Sequence, residues 1–167
     1  MIHPELDAEQ LYTQLEAAVK PALAGTDRLA IVGIYSGGAW LAERLARALG
    51  VTDVGFVDVS FYRDDYAEHG LSAEVRPSQI PFDVDGATIL LVDDVLYTGR
   101  TTRAAINTLF DYGRPARIML AALVDRGGRQ LPVAADFCAS TVNVAANQML
   151  VLQQADDGRL TLTIDHA

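Results

Sequence analysis

The stretch Ile89-Leu90-Leu91-Val92-Asp93-Asp94-Val95-Leu96-Tyr97-Thr98-Gly99-Arg100-Thr101 decides how this chain folds. Its opening apolar run reads as a strand over Thr88 to Val92, buried on both faces as strands of a parallel sheet are. Two aspartates end the run, and the small turn Thr98 to Thr102 then opens a helix. Thr102, Ile106, Leu109 and Phe110 fall on the core-facing side of that helix, and Gly113 and Pro115 end it. Strand, turn and amphipathic helix in this order are the building block of an α/β sheet.

The flanking sequence repeats the block. Upstream, Leu29 to Tyr35 is a short apolar run with β-branched residues, broken by Ser36-Gly37-Gly38. A helix follows with Leu41, Leu45, Ala48 and Leu49 on one side and Gly50 just past its end. An earlier helix carries Leu11, Leu15, Ala18 and Val19 behind a capping box from Asp7 to Gln10, and Pro21 with Gly25-Thr26-Asp27 closes it. Val54 to Phe61 is a further strand. The polar stretch from Tyr66 to Gly86, marked by Pro77 and Pro81, is long enough to be a functional lid or a disordered loop. Downstream, Ile118 to Val124 and Ala135 to Ala139 read as strands, and Met149–Gln153 with Leu160–Ile164 as a hairpin across Asp156-Asp157-Gly158. The pattern predicts one α/β domain over residues 1–167: a mostly parallel sheet flanked by helices, with chemistry in the loops at the carboxyl ends of the strands.

A chain of 167 residues with half of them hydrophobic can bury a single core without a metal or disulfide staple. Cys138 stands alone, which excludes an intramolecular disulfide and suits a small buried hydrophobe. The acidic start, Met1 to Gln10, has neither a basic leader nor an apolar signal core. No apolar run approaches the roughly 18 residues of a membrane span, so the expectation is a soluble cytoplasmic protein. The net charge of -9 argues against a general nucleic-acid coat or an anionic-lipid surface. It is unevenly spread: residues 91–129 hold six arginines against four aspartates. Arginine suits forked hydrogen bonds to phosphate or carboxylate.

That positive island coincides with the motif quoted first. A helix N-terminus offers unsatisfied N–H groups to an anion, and hydroxyls at 98, 101 and 102 with the flexible Gly99 let backbone wrap a phosphate. Asp93 and Asp94 one turn upstream suit a polyol, since a carboxylate accepts two hydroxyl hydrogen bonds. A phosphate cradle beside a hydroxyl reader fits a sugar phosphate. Paired aspartates also serve as plain turn residues, and Thr-Gly-x-Thr as an empty helix cap. No Gly-x-x-x-x-Gly-Lys and no Gly-x-Gly-x-x-Gly follows any strand, which disfavours a Walker loop and a dinucleotide site.

Residues 89–101 resemble the phosphoribosyl pyrophosphate (PRPP) motif of type I phosphoribosyltransferases. Tyr62-Arg63-Asp64-Asp65, Ile80-Pro81-Phe82-Asp83, Asp111-Tyr112-Gly113-Arg114-Pro115, Leu123-Val124-Asp125-Arg126-Gly127, Leu131-Pro132 and Ala135-Asp136 extend the resemblance. They point to the PyrR family of pyrimidine operon regulators with uracil phosphoribosyltransferase activity. The resemblance covers roughly residues 29–137, most of a domain of ordinary length. It implies that Asp93 and Asp94 hold the ribose hydroxyls and that Thr98, Gly99, Arg100, Thr101 and Thr102 take the 5′-phosphate. It also implies that Ser36, Gly37 and Gly38 meet pyrophosphate and that residues 62–86 form a lid region. Within that region, Arg63 and Arg76 would reach the pyrophosphate, although Arg63 could equally pair with Asp64 or Asp65. Asp125 and Arg126 would lie in the base loop. Better-known relatives carry a basic residue and an Arg where Tyr35 and Gly37 stand, and often His where Gly128 stands. Tyr97 replaces an Asp of purine-type relatives; a phenol is a poor general base at neutral pH, which favours uracil over a purine.

The implied reaction is transfer of ribose 5-phosphate from PRPP to uracil, giving UMP and pyrophosphate, with Mg2+ carried mainly by PRPP rather than by a protein cage. The implied assembly is a homodimer or a higher even oligomer. Members of the family also bind messenger RNA through a basic surface, as a regulatory role in pyrimidine biosynthesis requires. Here Ala134 to Met149 contains no Lys or Arg and the first helix only Lys20, so RNA is disfavoured as a partner. A nucleotide-sensing RNA attenuator with little catalysis, or a transferase for another base, are the alternatives.

Overall fold

The computed structural model describes residues 6–59 and 78–166. In chain order the elements are α1 (Ala8–Leu23), β1 (Leu29–Ile34), α2 (Gly37–Leu49), β2 (Val54–Val57), β3 (Thr88–Leu96), α3 (Arg100–Phe110), β4 (Arg117–Asp125), β5 (Phe137–Thr141), β6 (Gln148–Gln154) and β7 (Leu160–His166). Five strands form one sheet in the order β2-β1-β3-β4-β5, and every neighbouring pair is parallel. The β6–β7 hairpin is a separate antiparallel pair.

Alternation along the central strands divides the core in two. Ile31, Leu90, Val92, Met119, Ala121 and Leu123 face α1, α2 and the hairpin leucines 150, 152, 160 and 162. Ala30, Val32, Ile89, Leu91, Leu120 and Ala122 face the other way, against Ala104, Ala105 and Leu109 of α3. Both faces of the sheet are therefore covered, which is why its strands are continuously apolar. Val84 joins the second core, with Ile80 and Phe82 packed against it, and Gln79 makes a backbone bridge to Phe56. The tail end of the expected lid region, residues 78–86, is thus packed onto the sheet.

Some boundaries depart from expectation. Gly37 and Gly38 begin α2 instead of merely breaking the chain, because the helix must lie almost on the sheet. A Cβ on Gly38 would stand 2.3 Å from the Val92 carbonyl oxygen, and one on Gly33 2.6 Å from the Ala39 Cα. Helix α1 runs through Pro21 to Leu23, since packing of Leu15, Val19 and Leu23 outweighs one missing backbone donor. Phe110 is 52% exposed and not in the core: Thr102, Ala105 and Leu109 define the buried face, and residue 110 lies a further 100° around the helix.

The hairpin is latched by a buried-edge ion pair. Arg44 on α2 donates to both Glu9 carboxylate oxygens at 2.7 and 2.9 Å and to the Gly158 carbonyl at 2.7 Å. Glu9 also accepts the Leu160 amide at 2.8 Å. The hydrogen bond from Arg44 holds the Glu9 carboxyl below its ordinary value. A depressed carboxyl contributes stability above its unfolded pKa of about 4.3 and loses it as pH falls through the lower folded value. The difference in urea midpoint between wild type and Glu9→Gln should therefore be present at pH 7 and shrink as pH falls below 4. A gap independent of pH would show that the charge contributes nothing.

Candidate active site

Because the sheet is parallel, β1, β3 and β4 all end on one edge, and β3 lies between the other two. The loops after these strands are therefore neighbours in space although distant in sequence. Strand β3 is longer than its apolar run. Its ladder with β4 continues through Asp93↔Ala122 to Leu96↔Asp125, so both aspartates sit on strand backbone. The stiff ladder fixes them, and alternation sends them to opposite faces.

Asp94 shares the α2 face with Val92 and meets the turn after β1. A Cβ on Gly37 would lie 2.5 Å from Asp94 Oδ2. The missing side chain at Gly37 thus makes room for the carboxylate. Asp94 Oδ1 accepts the Val95 amide at 2.8 Å, and Asp93, 6% exposed, accepts the Asp94 amide at 2.8 Å. The structure brings Ser36, Gly37, Gly38, Asp93 and Asp94 to one corner of the sheet edge.

The turn after β3 begins with Tyr97 and the buried Thr98. Gly99 is the N-cap of α3 at φ 95°, a conformation that favours glycine, and as a glycine it gives the helix no side-chain acceptor. Thr98 Oγ1 accepts the Arg100 amide at 3.2 Å. Thr102 is 1% exposed and its hydroxyl has no hydrogen-bond partner, an orphan that buried polar groups rarely remain. Arg100 reaches across to Gln130 Oε1 at 3.0 Å. Thr101 opens the first turn of α3 beside it.

The loop after β4 is folded onto this turn. The Arg126 guanidinium lies 3.9 Å from the Tyr97 ring centroid, a stacked cation–π contact. Its Nη1 donates to the Gln148 carbonyl at 2.8 Å and its Nη2 to the Ala145 carbonyl at 3.0 Å, while Nε is buried without a partner. Arg126 therefore supports Tyr97 and ties the loop to the start of the hairpin. Asp125 Oδ1 accepts the Gly127 amide at 2.9 Å. Gly128, at φ 80°, presses on Tyr97: a Cβ there would stand 2.4 Å from Tyr97 Cε1. The tyrosine ring fills the place where a side chain at 128 would begin, so this arrangement excludes one.

Arg63 and Arg76 lie outside the described residues. Among the described residues no group of three or more His, Cys, Asp or Glu could hold a metal ion unaided. The hard oxygens of one of the two aspartates, Asp94 beside Gly37 or Asp93 on the other face of β3, fit Mg2+ as an ion borne by a phosphorylated substrate and completed by a carboxylate. Arg129 escaped the motif reading. Its nitrogens bond to Val133, Tyr97 and Asp125, and its one sequence signal is the i,i+4 spacing from Asp125.

Comparison with known proteins gives the family and the fold. Residues 6–154 match the model of the phosphoribosyl transferase domain. The chain is 52% identical over 168 residues to the "Bifunctional protein PyrR" of Ralstonia nicotianae, covering 98% of this chain and 97% of that one. It is 45% identical over 156 residues to the protein of the same name from Nitrosococcus oceani, covering 90% and 88%. In fold it is similar to the hypoxanthine phosphoribosyltransferase of Trypanosoma cruzi, with a TM-score of 0.66 at 20% identity over 94% of this chain and 81% of that one. The five-stranded parallel sheet with its flanking helices is the type I phosphoribosyltransferase fold. The chain belongs to the phosphoribosyltransferase family and, within it, to the bifunctional PyrR proteins.

Proposed function

We propose that this protein transfers ribose 5-phosphate from PRPP to uracil, releasing pyrophosphate and forming UMP. The carrying observation is Tyr97. Its ring is stacked under the Arg126 guanidinium and pressed against Gly128 of the base loop, at the sequence position where purine-type relatives carry a carboxylate.

The family resemblance supports the residue roles. Asp93 and Asp94 hold the ribose hydroxyls, and the negative charge of Asp94 faces the positive charge that develops on the ribose as the C1′–O bond breaks. Thr98 to Thr102 take the 5′-phosphate: the first-turn amides of α3 beyond Arg100, whose amide Thr98 receives, and the orphan Thr102 hydroxyl are donors suited to it. Ser36, Gly37 and Gly38 lie along the pyrophosphate, with Arg63 and Arg76 completing its charge. The amides and carbonyls of residues 125–128 read the uracil edge. Uracil N1 bonds to C1′, pyrophosphate departs with the bonding electrons, and the N1 proton passes to solvent or to the leaving group. Mg2+, carried on PRPP beside Asp93 and Asp94, would neutralise the leaving group's charge.

The domain works in the cytoplasm as a dimer or higher even oligomer. Phe110 and Tyr112, both exposed, are apolar surface that such an assembly would cover. No helix among the described residues is long and apolar enough to cross a membrane. Regulation through messenger RNA has less support, because residues 134–149 offer no cation.

Pyrophosphate release from PRPP, measured with uracil, orotate, guanine and hypoxanthine in parallel, tests the reading. Turnover with uracil and little with the other three is expected. Turnover confined to the purines would overturn it.

A further inference from the structure

Arg129 spends every nitrogen of its guanidinium inside the protein. Nε donates to the Val133 carbonyl at 2.8 Å, Nη1 to the Tyr97 carbonyl at 2.5 Å, and Nη2 to Asp125 Oδ2 at 2.6 Å. The three acceptors belong to three segments: the residue before the phosphate turn, the end of β4, and the stretch leading to β5. The other oxygen of the same aspartate accepts the Gly127 amide, so the carboxylate that receives Arg129 also shapes the base loop. Beside this fork, the Gln130 and Leu131 amides both donate to the Thr98 carbonyl, at 2.9 and 3.1 Å. The Val133 side chain closes on Gly99, where a Cβ would meet it at 3.2 Å. Residues 129–133, which continue the base loop, are thus joined to Tyr97, Thr98 and Gly99 at the start of the phosphate turn, and Arg129 is the shared node. A lysine could not replace it, since one ammonium cannot serve three acceptors spread around a planar fork.

We propose that Arg129 is a positioning residue that sets the separation of the base loop from the phosphate turn, and hence of uracil N1 from the ribose C1′. The proposal rests on the transfer reaction assigned above. The guanidinium of Arg129 is spent on protein acceptors, so its removal should misplace the base and leave the sugar phosphate site standing. Misplacement of a reacting atom by about 1 Å costs on the order of 100-fold in rate.

The test compares Arg129→Ala and Arg129→Lys with wild type in steady-state kinetics and in amide hydrogen exchange. Expected in Arg129→Ala is a fall of roughly 100-fold in kcat/KM for uracil, with KM for PRPP changed by less than about threefold on the same reasoning. Arg129→Lys should not restore the rate, and millimolar guanidinium ion should restore part of it in Arg129→Ala. Exchange should quicken at Gly127, Gln130 and Leu131 while α1 and the hairpin keep their protection. Wild-type kinetics in Arg129→Lys, an equal loss toward uracil and PRPP, or loss of protection throughout the domain would each overturn the proposal. If the wild-type protein does not use uracil, the assigned reaction fails by itself. Exchange then decides alone: retained protection at 127, 130 and 131 in Arg129→Ala overturns the latch, and selective loss supports it.

Discussion

Asp94→Asn should lower uracil-dependent pyrophosphate release by about 100- to 1,000-fold, the usual effect of removing one well-placed electrostatic partner of a transition state. The substitution is isosteric, and an amide oxygen can still accept the Val95 amide that Asp94 Oδ1 accepts at 2.8 Å. The strand end therefore keeps its shape. What changes is the oxygen beside Gly37, which becomes an NH2 group or loses its charge. It can no longer accept a ribose hydroxyl as a carboxylate does, nor stabilise the positive charge that grows on the sugar. The loss should fall mainly on kcat, because the charge develops in the transition state. Steady-state kinetics with PRPP and uracil, beside a thermal melt, checks this. Unchanged turnover would refute the ribose role of Asp94; a large drop in melting temperature would show a structural one.

The largest effect on stability should come from Gly38→Ala. The added methyl would stand 2.3 Å from the Val92 carbonyl oxygen and 3.1 Å from the Asp93 Cα, both backbone atoms of the central strand. Unlike a side-chain tip, that backbone cannot swing aside, since it is laddered to β1 at Gly33↔Val92 and to β4 at Val92↔Ala121. Helix α2 must move off the sheet, opening space around Leu41 and Leu45. Overpacking of this kind costs about 3 kcal/mol. In a chain of this size it should lower the melting temperature by roughly 6–12 °C. Calorimetry measures it directly. A midpoint within about 2 °C of wild type would mean that α2 can slide without loss of packing.

Much of this molecule is legible in order along the chain. The apolar run at 89–92, the aspartates and the Thr98–Thr102 turn announce strand, site and helix, because burial on both sheet faces and the needs of a helix start are local demands on composition. The same locality hides other features. That β3 extends through Asp93 and Asp94 depends on a partner strand continuing to Asp125, which no window around residue 93 contains. Phe110 is placed inside by periodicity and outside by the structure, because the helix ends there and its buried face is set by Thr102, Ala105 and Leu109.

The two glycines that break the family's pattern show the division most clearly. Read along the chain, Gly37, like Tyr35 two residues before it, is a missing cation, and Gly128 is a missing histidine. In the structure Gly37 is the space that Asp94 occupies, and Gly128 the space that Tyr97 occupies. Arg129 divides the same way: Asp125 and Val133 lie four residues from it along the chain, but the Tyr97 carbonyl is 32 residues away and meets it only because β3 and β4 end side by side. The α/β class, the order of elements, the Thr98–Thr102 turn and the family resemblance are legible along the chain, since each rests on patterns a few residues long. Which side chains exclude one another and which loop holds which are settled on folding, because those relations depend on distances between strands that the parallel sheet, with β3 at its centre, sets.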